Sequence, residues 1–399
     1  QDDEHTVTVW DWEKRRTVMS TATTNRVVLA LTWKDDSTVV TAGMNHAFFV
    51  SLEDQTARKA LFGRLRGVQV QPLVSVAALP KLSTADARGW TSSRSSRSHG
   101  ASAAGRTGDV VVTGTKTGDL YVWHGRSCAA FKGKAHDSAI TALYAPFDEQ
   151  FAALPNVALA SGGAEGSVKL WSPSGDIIGE VNFAGAGWSC LDPSIRSVAW
   201  GTDGAGGVKL VVGVRSGEIY QLPIDSVLAA GPGESKGDDS SSYGDAAEPV
   251  VTGHSNFETW GLAPHPEDAD VFATSGDDAT LRLWRFNKQY ARHALPTLAR
   301  CVAWNHDGSM VAVGLGGDFG GILRDGKGRG AWSGRGGEGH DAEAFAALDS
   351  NALRAGGYVV FEVDGSTLAP VHAARDQSEW ISDIKFSPDG SKLAVGSHD

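Results

Sequence analysis

Short runs of β-branched residues alternate with glycine-rich turns along most of the chain. One phrase recurs: an apolar strand, a glycine-rich turn, and a second strand that alternates apolar with polar residues and ends in an aromatic residue. Clear copies occupy residues 110–123, 158–171, 210–220 and 271–284, and weaker copies end at Trp10, Phe49 and Phe361. Because period-two alternation indicates strands and no segment sustains a helical period, the pattern predicts an all-β protein.

The spacing of the terminal aromatic residues predicts the architecture. These residues are Trp10, Phe49, Trp123, Trp171, Tyr220, Trp284 and Phe361. Once insertions are subtracted, the interval is close to the roughly 40 to 45 residues of a four-stranded blade of a β-propeller. The count predicts about six full blades and a partial blade at each end. Since a partial blade leaves strand edges unpaired, the ends either close one seven-bladed ring or belong to two tandem propellers.

Three segments depart from the blade pattern. Residues 80–108 carry a net charge of +4, residues 226–249 carry a net charge of -4, and residues 316–356 are dense in glycine. We interpret all three as flexible surface loops, because a loop between strands lengthens at little cost in stability. We therefore expect blades of a first propeller over 1–225, an acidic linker or insertion at 226–249, and blades over 250–399 that continue the ring or start a second propeller.

Composition and charge exclude several classes of function. The 399 residues carry a formal net charge of -11, which would repel nucleic acid and anionic membranes. No apolar run approaches the roughly 18 residues of a membrane crossing. The cysteines, Cys128, Cys190 and Cys301, are too far apart for a zinc motif, and the histidines show no ligand spacing. We expect no metal, no cofactor and a reducing location such as the cytoplasm.

The first residues, 1–5, contain no start methionine, no basic segment and no apolar segment. We therefore expect no signal peptide there, and we expect the chain to be an excerpt from a longer protein.

Several phrases identify a resemblance. Gly253-His254 is followed by the sequence WGLAPHP at 260–266, and the chain ends in LAVGSHD at 393–399. Further matching phrases occupy 7–14, 41–46, 193–197 and 380–387. Together they resemble the WD-repeat region of the echinoderm microtubule-associated protein-like (EMAP-like) family. The resemblance implies tandem, atypical WD-repeat propellers that associate with tubulin and microtubules, a cytoskeletal location, and an axoneme of a cilium or flagellum as one such place.

Histidine, hydroxyl, carboxylate and tryptophan recur together in two blades. The two sets are His136, Ser161, Glu165 and Trp171, and His254, Thr274, Asp278 and Trp284. A catalytic interpretation would treat them as a nucleophile with its base and acid. Because the set occurs twice at the same blade position, and because the resemblance implies a buried hydrogen-bond relay in WD repeats, we interpret it as structural. We expect no enzymatic activity.

Loop residues are the candidates for contact with a partner. The basic candidates are Arg88, Arg94, Arg97 and Arg106, and the aromatic candidates, placed in loops or insertions, are Trp90, Trp188 and Trp332. The sequence therefore predicts a non-enzymatic scaffold whose leading partner is tubulin or a microtubule-based assembly. The alternative is an adaptor propeller that binds peptides in a signalling or ubiquitin-ligase complex.

Overall fold

The computed structural model describes most of the chain outside the three insertions. The described residues are 6–11, 13–24, 26–63, 68–79, 82, 90, 110–145, 154, 156–184, 192–202, 207–232, 248–254, 258–286, 288–317 and 345–398. Apart from one short helix, the regular elements of this part of the chain are antiparallel strands. The predicted all-β class is confirmed.

Six sheets of four strands follow one another along the described residues, and each is a meander in which strands adjacent in sequence pair. We call them blades one to six. Blade one contains β3 (Val28–Asp35), β4 (Thr38–Gly43), β5 (His46–Ser51) and β6 (Thr56–Lys59). Blade two contains β7 (Leu73–Leu79), β8 (Val110–Thr115), β9 (Leu120–His124) and β10 (Ser127–Lys132). Blade three contains β11 (Ile140–Tyr144), β12 (Leu159–Gly163), β13 (Ser167–Trp171) and β14 (Ile177–Asn182).

The remaining blades repeat this order. Blade four contains β15 (Ile195–Thr202), β16 (Val208–Val214), β17 (Ile219–Pro223) and β18 (Glu248–Val251). Blade five contains β19 (Thr259–Pro264), β20 (Val271–Gly276), β21 (Thr280–Arg285) and β22 (Lys288–Ala294). Blade six contains β23 (Leu298–Trp304), β24 (Met310–Gly317), β25 (Gly357–Asp364) and β26 (Thr367–Arg375).

A pair of strands precedes blade one and another pair follows blade six. They are β1 (Thr6–Asp11) with β2 (Arg16–Ala22), and β27 (Ile381–Phe386) with β28 (Leu393–Ser397). Six full blades with partial blades at both ends are therefore confirmed. The choice between one ring and two tandem propellers stays a prediction, as do the boundaries at 225 and 250.

The chain divides into two compact units. The first comprises Gln1–Arg215 with Ile219–Val250, and the second comprises Ser216–Glu218 with Val251–Asp399. Within each unit the first strands of neighbouring blades pack side by side: β3, β7, β11 and β15 in the first, and β19, β23 and β27 in the second. The second strands β8 and β12 are buried at every position, because blades cover both of their faces. The core therefore lies between the blades.

The insertions contribute to this core more than the sequence predicted. Residues Ile224–Ala230 form helix α1, whose Ile224 and Val227 are buried against blades three and four. The segment expected as a linker from residue 226 thus begins inside a helix, and its last residues open β18. Similarly, Leu82 packs into the blade-two core and Phe345 into the blade-six core. At these described positions the segments lie in the core, which corrects their interpretation as surface loops throughout.

Candidate functional site: buried relays and the bulged first strands

Blade three contains a continuous chain of hydrogen bonds. The Trp171 indole Nε1 donates to Ser161 Oγ at 2.7 Å, and Ser161 Oγ lies 2.7 Å from His136 Nε2. His136 Nδ1 bonds a carboxylate oxygen of Glu165. The Nδ1 proton of His136 is directed to the Glu165 carboxylate; this proton position is assigned from the network. Four segments, the loop before β11, strand β12, the turn after it and strand β13, are thereby joined.

The Glu165 carboxylate at the end of this relay is held ionised. Burial alone would raise its pKa, but the hydrogen bond and charge of His136, with hydroxyl donors from Ser138 and Ser167, outweigh burial and lower the pKa to about 2. Hydrogen bonds to the charged form favour ionisation. This carboxylate therefore accepts hydrogen bonds at neutral pH and has no proton to give.

Blade five contains the same relay with one addition. Trp284 Nε1 donates to Thr274 Oγ1 at 2.7 Å, which lies 2.7 Å from His254 Nε2, and His254 Nδ1 lies 2.9 Å from Asp278 Oδ1. The second Asp278 oxygen accepts a 2.9 Å bond from the fully buried Arg282 guanidinium. Burial would raise the pKa of Asp278, whereas His254 and Arg282 lower it to about 2.

The Arg282 guanidinium is the feature of blade five that the sequence analysis missed. Its other donors reach Thr280 Oγ1 at 3.0 Å and Gln289 Oε1 at 3.0 Å. Glu218, also buried and in the second unit, lies 3.8 Å from it, and burial raises the pKa of this carboxyl. The alternating pattern of β21 gave no signal, because an arginine at a strand position is usually solvated.

The geometry of the two relays supports a structural role for these residues and argues against a catalytic role. In both blades the hydroxyl group, of Ser161 or Thr274, accepts a hydrogen bond from the tryptophan indole N–H inside the protein. The matching residues occupy the same strand and turn positions. A nucleophile needs access to a substrate and oxyanion donors beside it. Among its described residues, blade two retains one link, the 2.9 Å bond from Trp123 Nε1 to Thr113 Oγ1. The sequence analysis grouped the right residues, and the structure brings them together.

The residues predicted for partner contact are placed differently. Arg88, Arg94, Arg97, Arg106, Trp188 and Trp332 lie outside the described residues. Trp90 is fully buried, stacks on Trp171 with 5.7 Å between ring centroids, and donates from Nε1 to the Pro173 carbonyl at 3.1 Å. The expected partner contact of Trp90 is therefore wrong: an indole whose only polar atom is satisfied inside the core packs there despite its loop sequence.

The first strands of all six blades and strand β27 each contain a bulge near their start, which the sequence analysis also missed. Each bulge inserts one extra residue opposite the second strand. The bulged residues are Leu29, Val74, Thr141, Arg196, Trp260, Arg300 and Ser382. Because a bulge redirects its side chain away from the alternating pattern, these residues of different chemistry occupy the same position in the first strand of each sheet.

Other candidate chemistry is limited within the described residues. No group of three or more His, Cys, Asp or Glu side chains there is arranged to hold a metal ion. Cys128 and Cys301 are buried free thiols, and burial raises the pKa of each to about 12, so neither is a thiolate at neutral pH. None of the helices in the same ranges is long and apolar enough to cross a membrane.

A known family model matches three segments of the chain, and two of them contain the relays. The model of the WD domain, G-beta repeat, family matches residues 127–172, 247–285 and 368–399, and the first two segments contain the two relays. Among solved structures, "Structure of U3-55K" covers 93% of this chain and 88% of that chain, with 12% sequence identity and a TM-score of 0.37.

Curated relatives match the chain from end to end. The echinoderm microtubule-associated protein-like 2 of Mus musculus is 26% identical over 407 residues, which cover 100% of this chain and 46% of that protein. Echinoderm microtubule-associated protein-like 3 of Homo sapiens is 25% identical, over 99% of this chain and 36% of that protein. Echinoderm microtubule-associated protein-like 4 of Xenopus laevis is 24% identical, over 99% of this chain and 34% of that protein. The chain thus spans about half the length of the first relatives, or less. It carries WD repeats and is similar along its whole length to the echinoderm microtubule-associated protein-like family, as its sequence phrases predicted.

Proposed function

We propose that this chain is a non-enzymatic protein-interaction scaffold that associates with tubulin or microtubules. The observation that carries the proposal is the end-to-end similarity to echinoderm microtubule-associated protein-like 2, 3 and 4, whose shared name states an association with microtubules. Blades suit such a role, because their loops present a preorganised surface while the sheets supply the stability.

The absence of catalysis belongs to the same proposal. The histidine, hydroxyl and carboxylate sets that could suggest hydrolysis occur twice and are saturated by bonds within their own blades. An active site is a single cluster open to substrate, and these relays are repeated and closed.

The contact with tubulin is proposed to be electrostatic and local. Tubulin surfaces and tails are strongly acidic, and the chain itself has a net charge of -11, so the whole molecules repel each other. The basic segment 80–108, with Arg88, Arg94, Arg97 and Arg106, concentrates a net charge of +4 and would meet the acidic partner. Its serines, Ser95, Ser96 and Ser98, would cancel that charge when phosphorylated.

The proposed location is the cytoplasmic microtubule cytoskeleton, including the axoneme of a cilium or flagellum. A tagged full-length protein should colocalise with microtubules in cells, and a diffuse signal that ignores microtubule depolymerisation would contradict this placement.

Co-sedimentation tests the association itself. The chain is mixed with stabilised microtubules and centrifuged, before and after proteolytic removal of the acidic tubulin tails. The proposal predicts pelleting with intact microtubules and weaker pelleting once the tails are gone. No pelleting with either preparation would refute microtubule binding by this chain and would favour the adaptor role in a signalling or ubiquitin-ligase complex.

A further inference from the structure

Two successive bulged residues in the second unit form a stacked cluster at the surface. The Arg300 guanidinium lies 4.3 Å from the Trp260 ring centroid and 5.6 Å from that of Trp380. On Trp380, the His398 ring stacks with 3.8 Å between centroids and 15° between planes. We call Trp260, Arg300, Trp380 and His398 the indole stack. Each member belongs to the second unit.

The cation inside the stack is already neutralised. Arg300 is only 8% exposed, and its Nη2 lies 3.2 Å from the Asp277 carboxylate. Asp277 is fixed in turn, because its backbone amide donates to the Glu258 carbonyl at 3.0 Å. A carboxylate or phosphate ligand would have to displace Asp277 and the indoles to reach this guanidinium. The stack therefore does not fit an anionic ligand.

The Trp260 indole remains accessible. It is 47% exposed, and Leu262, two residues further along the same face of β19, is 69% exposed. Arg300 supports the indole from within, so the ring is held in place rather than mobile in solvent. The face of an indole carries negative charge density and attracts lysine and arginine side chains.

The rim of the stack is acidic. Glu258 is exposed and precedes Trp260 by two residues, and Glu379 is exposed and directly precedes Trp380. The carbonyl of Glu379 accepts a bond from Ser397, and the His398 amide donates to the Trp380 carbonyl, so Trp380 sits on hydrogen-bonded backbone. Carboxylates beside a fixed indole face add Coulomb attraction for a cation and none for an apolar peptide.

We propose that the indole stack is a binding site for a basic segment of a partner protein. A lysine or arginine side chain of that segment packs on the open part of Trp260, with its charge toward Glu258 and Glu379 and its aliphatic stem along Leu262. Charge complementarity selects this occupant, since the stack's own cation is paired with Asp277 and the rim is acidic. Nucleic acid is excluded by the same charges.

This site is distinct from the proposed tubulin contact. There a basic segment of this chain meets an acidic partner, whereas here an acidic rim of this chain meets a basic partner. The inference depends on contacts in the second unit only and holds whether or not the chain binds microtubules.

Fluorescence anisotropy with a labelled hexa-arginine peptide tests the proposal, with a labelled hexa-glutamate peptide as the charge control. The matched variants are Trp260→Ala and Trp10→Ala, because Trp10 is 61% exposed in the first unit and neither change alters the net charge. We expect Trp260→Ala to weaken hexa-arginine binding about five- to tenfold, and Trp10→Ala to leave it within about twofold. Glu258→Gln should weaken it about threefold at low salt, with a smaller effect at high salt.

Equal affinities for the native chain and Trp260→Ala would overturn the proposal, because the peptide would then follow the overall negative charge. Equal losses in the two tryptophan variants would overturn it as well. If Trp260→Ala unfolds, the variants Glu258→Gln and Trp260→Phe test the proposal instead. Because phenylalanine retains a π face, the Trp260→Phe variant should bind hexa-arginine more weakly than the native chain but still detectably. Stronger binding of hexa-glutamate than of hexa-arginine would reverse the proposed charge preference and refute the site.

Discussion

Blades three and five share one relay, yet they differ at one equivalent strand position. In blade three this position holds Lys169, whose Nζ reaches out to the Ala135 carbonyl at 2.9 Å and lies 3.7 Å from Glu180. In blade five it holds Arg282, which turns inward and is fully buried against Asp278. The two relays therefore have the same bonds from tryptophan to carboxylate and different electrostatic surroundings.

The difference shows how a repeated motif can support unlike cores. Hydroxyl groups and a histidine satisfy Glu165 in blade three, so its neighbours are neutral donors apart from the imidazole. In blade five a buried cation completes the coordination of Asp278. Breaking a buried ion pair leaves an uncompensated charge, whereas losing one of several neutral hydrogen bonds does not. Blade five should be more sensitive to changes at its carboxylate, and blade three to changes in its packing.

The largest effect is expected at the relay tryptophans. Trp171 is fully buried and stacked on Trp90, while Trp284 is half-buried and stacks on Phe272. Trp171→Ala should destabilise blade three by about 4 kcal/mol, and Trp284→Ala should destabilise blade five by about 3 kcal/mol, since the cavity is larger where burial is complete. Hydrogen exchange measured by mass spectrometry on β12 and β20 reports each opening free energy. Unchanged exchange in both blades would remove the relay from the account.

Substitution of the relay carboxylates should have the opposite order of effect, with a larger loss of stability in blade five than in blade three. Asp278→Asn keeps the side-chain size but removes the ion pair between Arg282 and Asp278, and we expect a loss of about 3 kcal/mol. Glu165→Gln in blade three, the matched variant, should cost less, about 2 kcal/mol, because two of its donors are neutral hydroxyl groups that can reorient. Urea unfolding of both variants gives the comparison. A larger loss for Glu165→Gln would mean that Arg282 does not distinguish the blades.

Acid should weaken both relay blades. Both carboxylates have a folded pKa of about 2, below the ordinary 4.5 of Glu165 and 3.8 of Asp278, so their stabilisation is complete above those ordinary values and is lost as pH falls toward 2. At 1.36 kcal/mol per pKa unit, each loss is on the order of 2 kcal/mol. Glu218 has a raised pKa and acts oppositely, because its protonation at low pH relieves the cost of a buried charge near Arg282.

Hydrogen exchange of each blade from pH 5 to pH 2, corrected for the intrinsic exchange rate, measures this loss of stability. Glu165→Gln should remove most of the pH dependence in blade three and leave that of blade five unchanged. A pH dependence in blade three that survives this substitution would show that other groups govern it.

The smallest effect on stability is expected at Lys169, the blade-three residue at the strand position that Arg282 occupies in blade five. Lys169→Met removes the hydrogen bond to the Ala135 carbonyl and the partly solvated contact with Glu180, and it should change the free energy of unfolding by about 1 kcal/mol. Arg282→Met, its matched variant, removes the cation between Asp278 and Glu218 and should cost several times more. Equal losses of thermal stability in Lys169→Met and Arg282→Met would contradict the proposed difference between the two blades.

The sequence predicted the strands, the blade count and the members of both relays, because each of these repeats. Alternating strands, glycine turns and the fixed spacing of His, hydroxyl, carboxylate and Trp occur in more than one copy, and repetition separates them from chance. Single features gave no such signal. Trp90 was assigned to the surface because its neighbours are polar, and α1 was missed because seven residues carry too little periodicity.

The inward turn of Arg282 and the bulge that aims Trp260 depend on register and packing, which a sequence does not display. Lys169 and Arg282 are alike in charge and strand position, and only the surroundings decide which side chain is buried. Likewise, Trp260 and Arg300 are 40 positions apart and stack because neighbouring blades place their bulges at one level.

The salt dependence of microtubule co-sedimentation tests the central claim, association with microtubules through local positive charge, most directly. The native chain is compared with a variant in which Arg88, Arg94, Arg97 and Arg106 are all replaced by Ser. We predict that the native chain pellets less as salt rises, and that the variant pellets weakly with a flatter salt dependence while its thermal unfolding is unchanged. Identical pelleting of the two proteins at low and high salt would contradict the account.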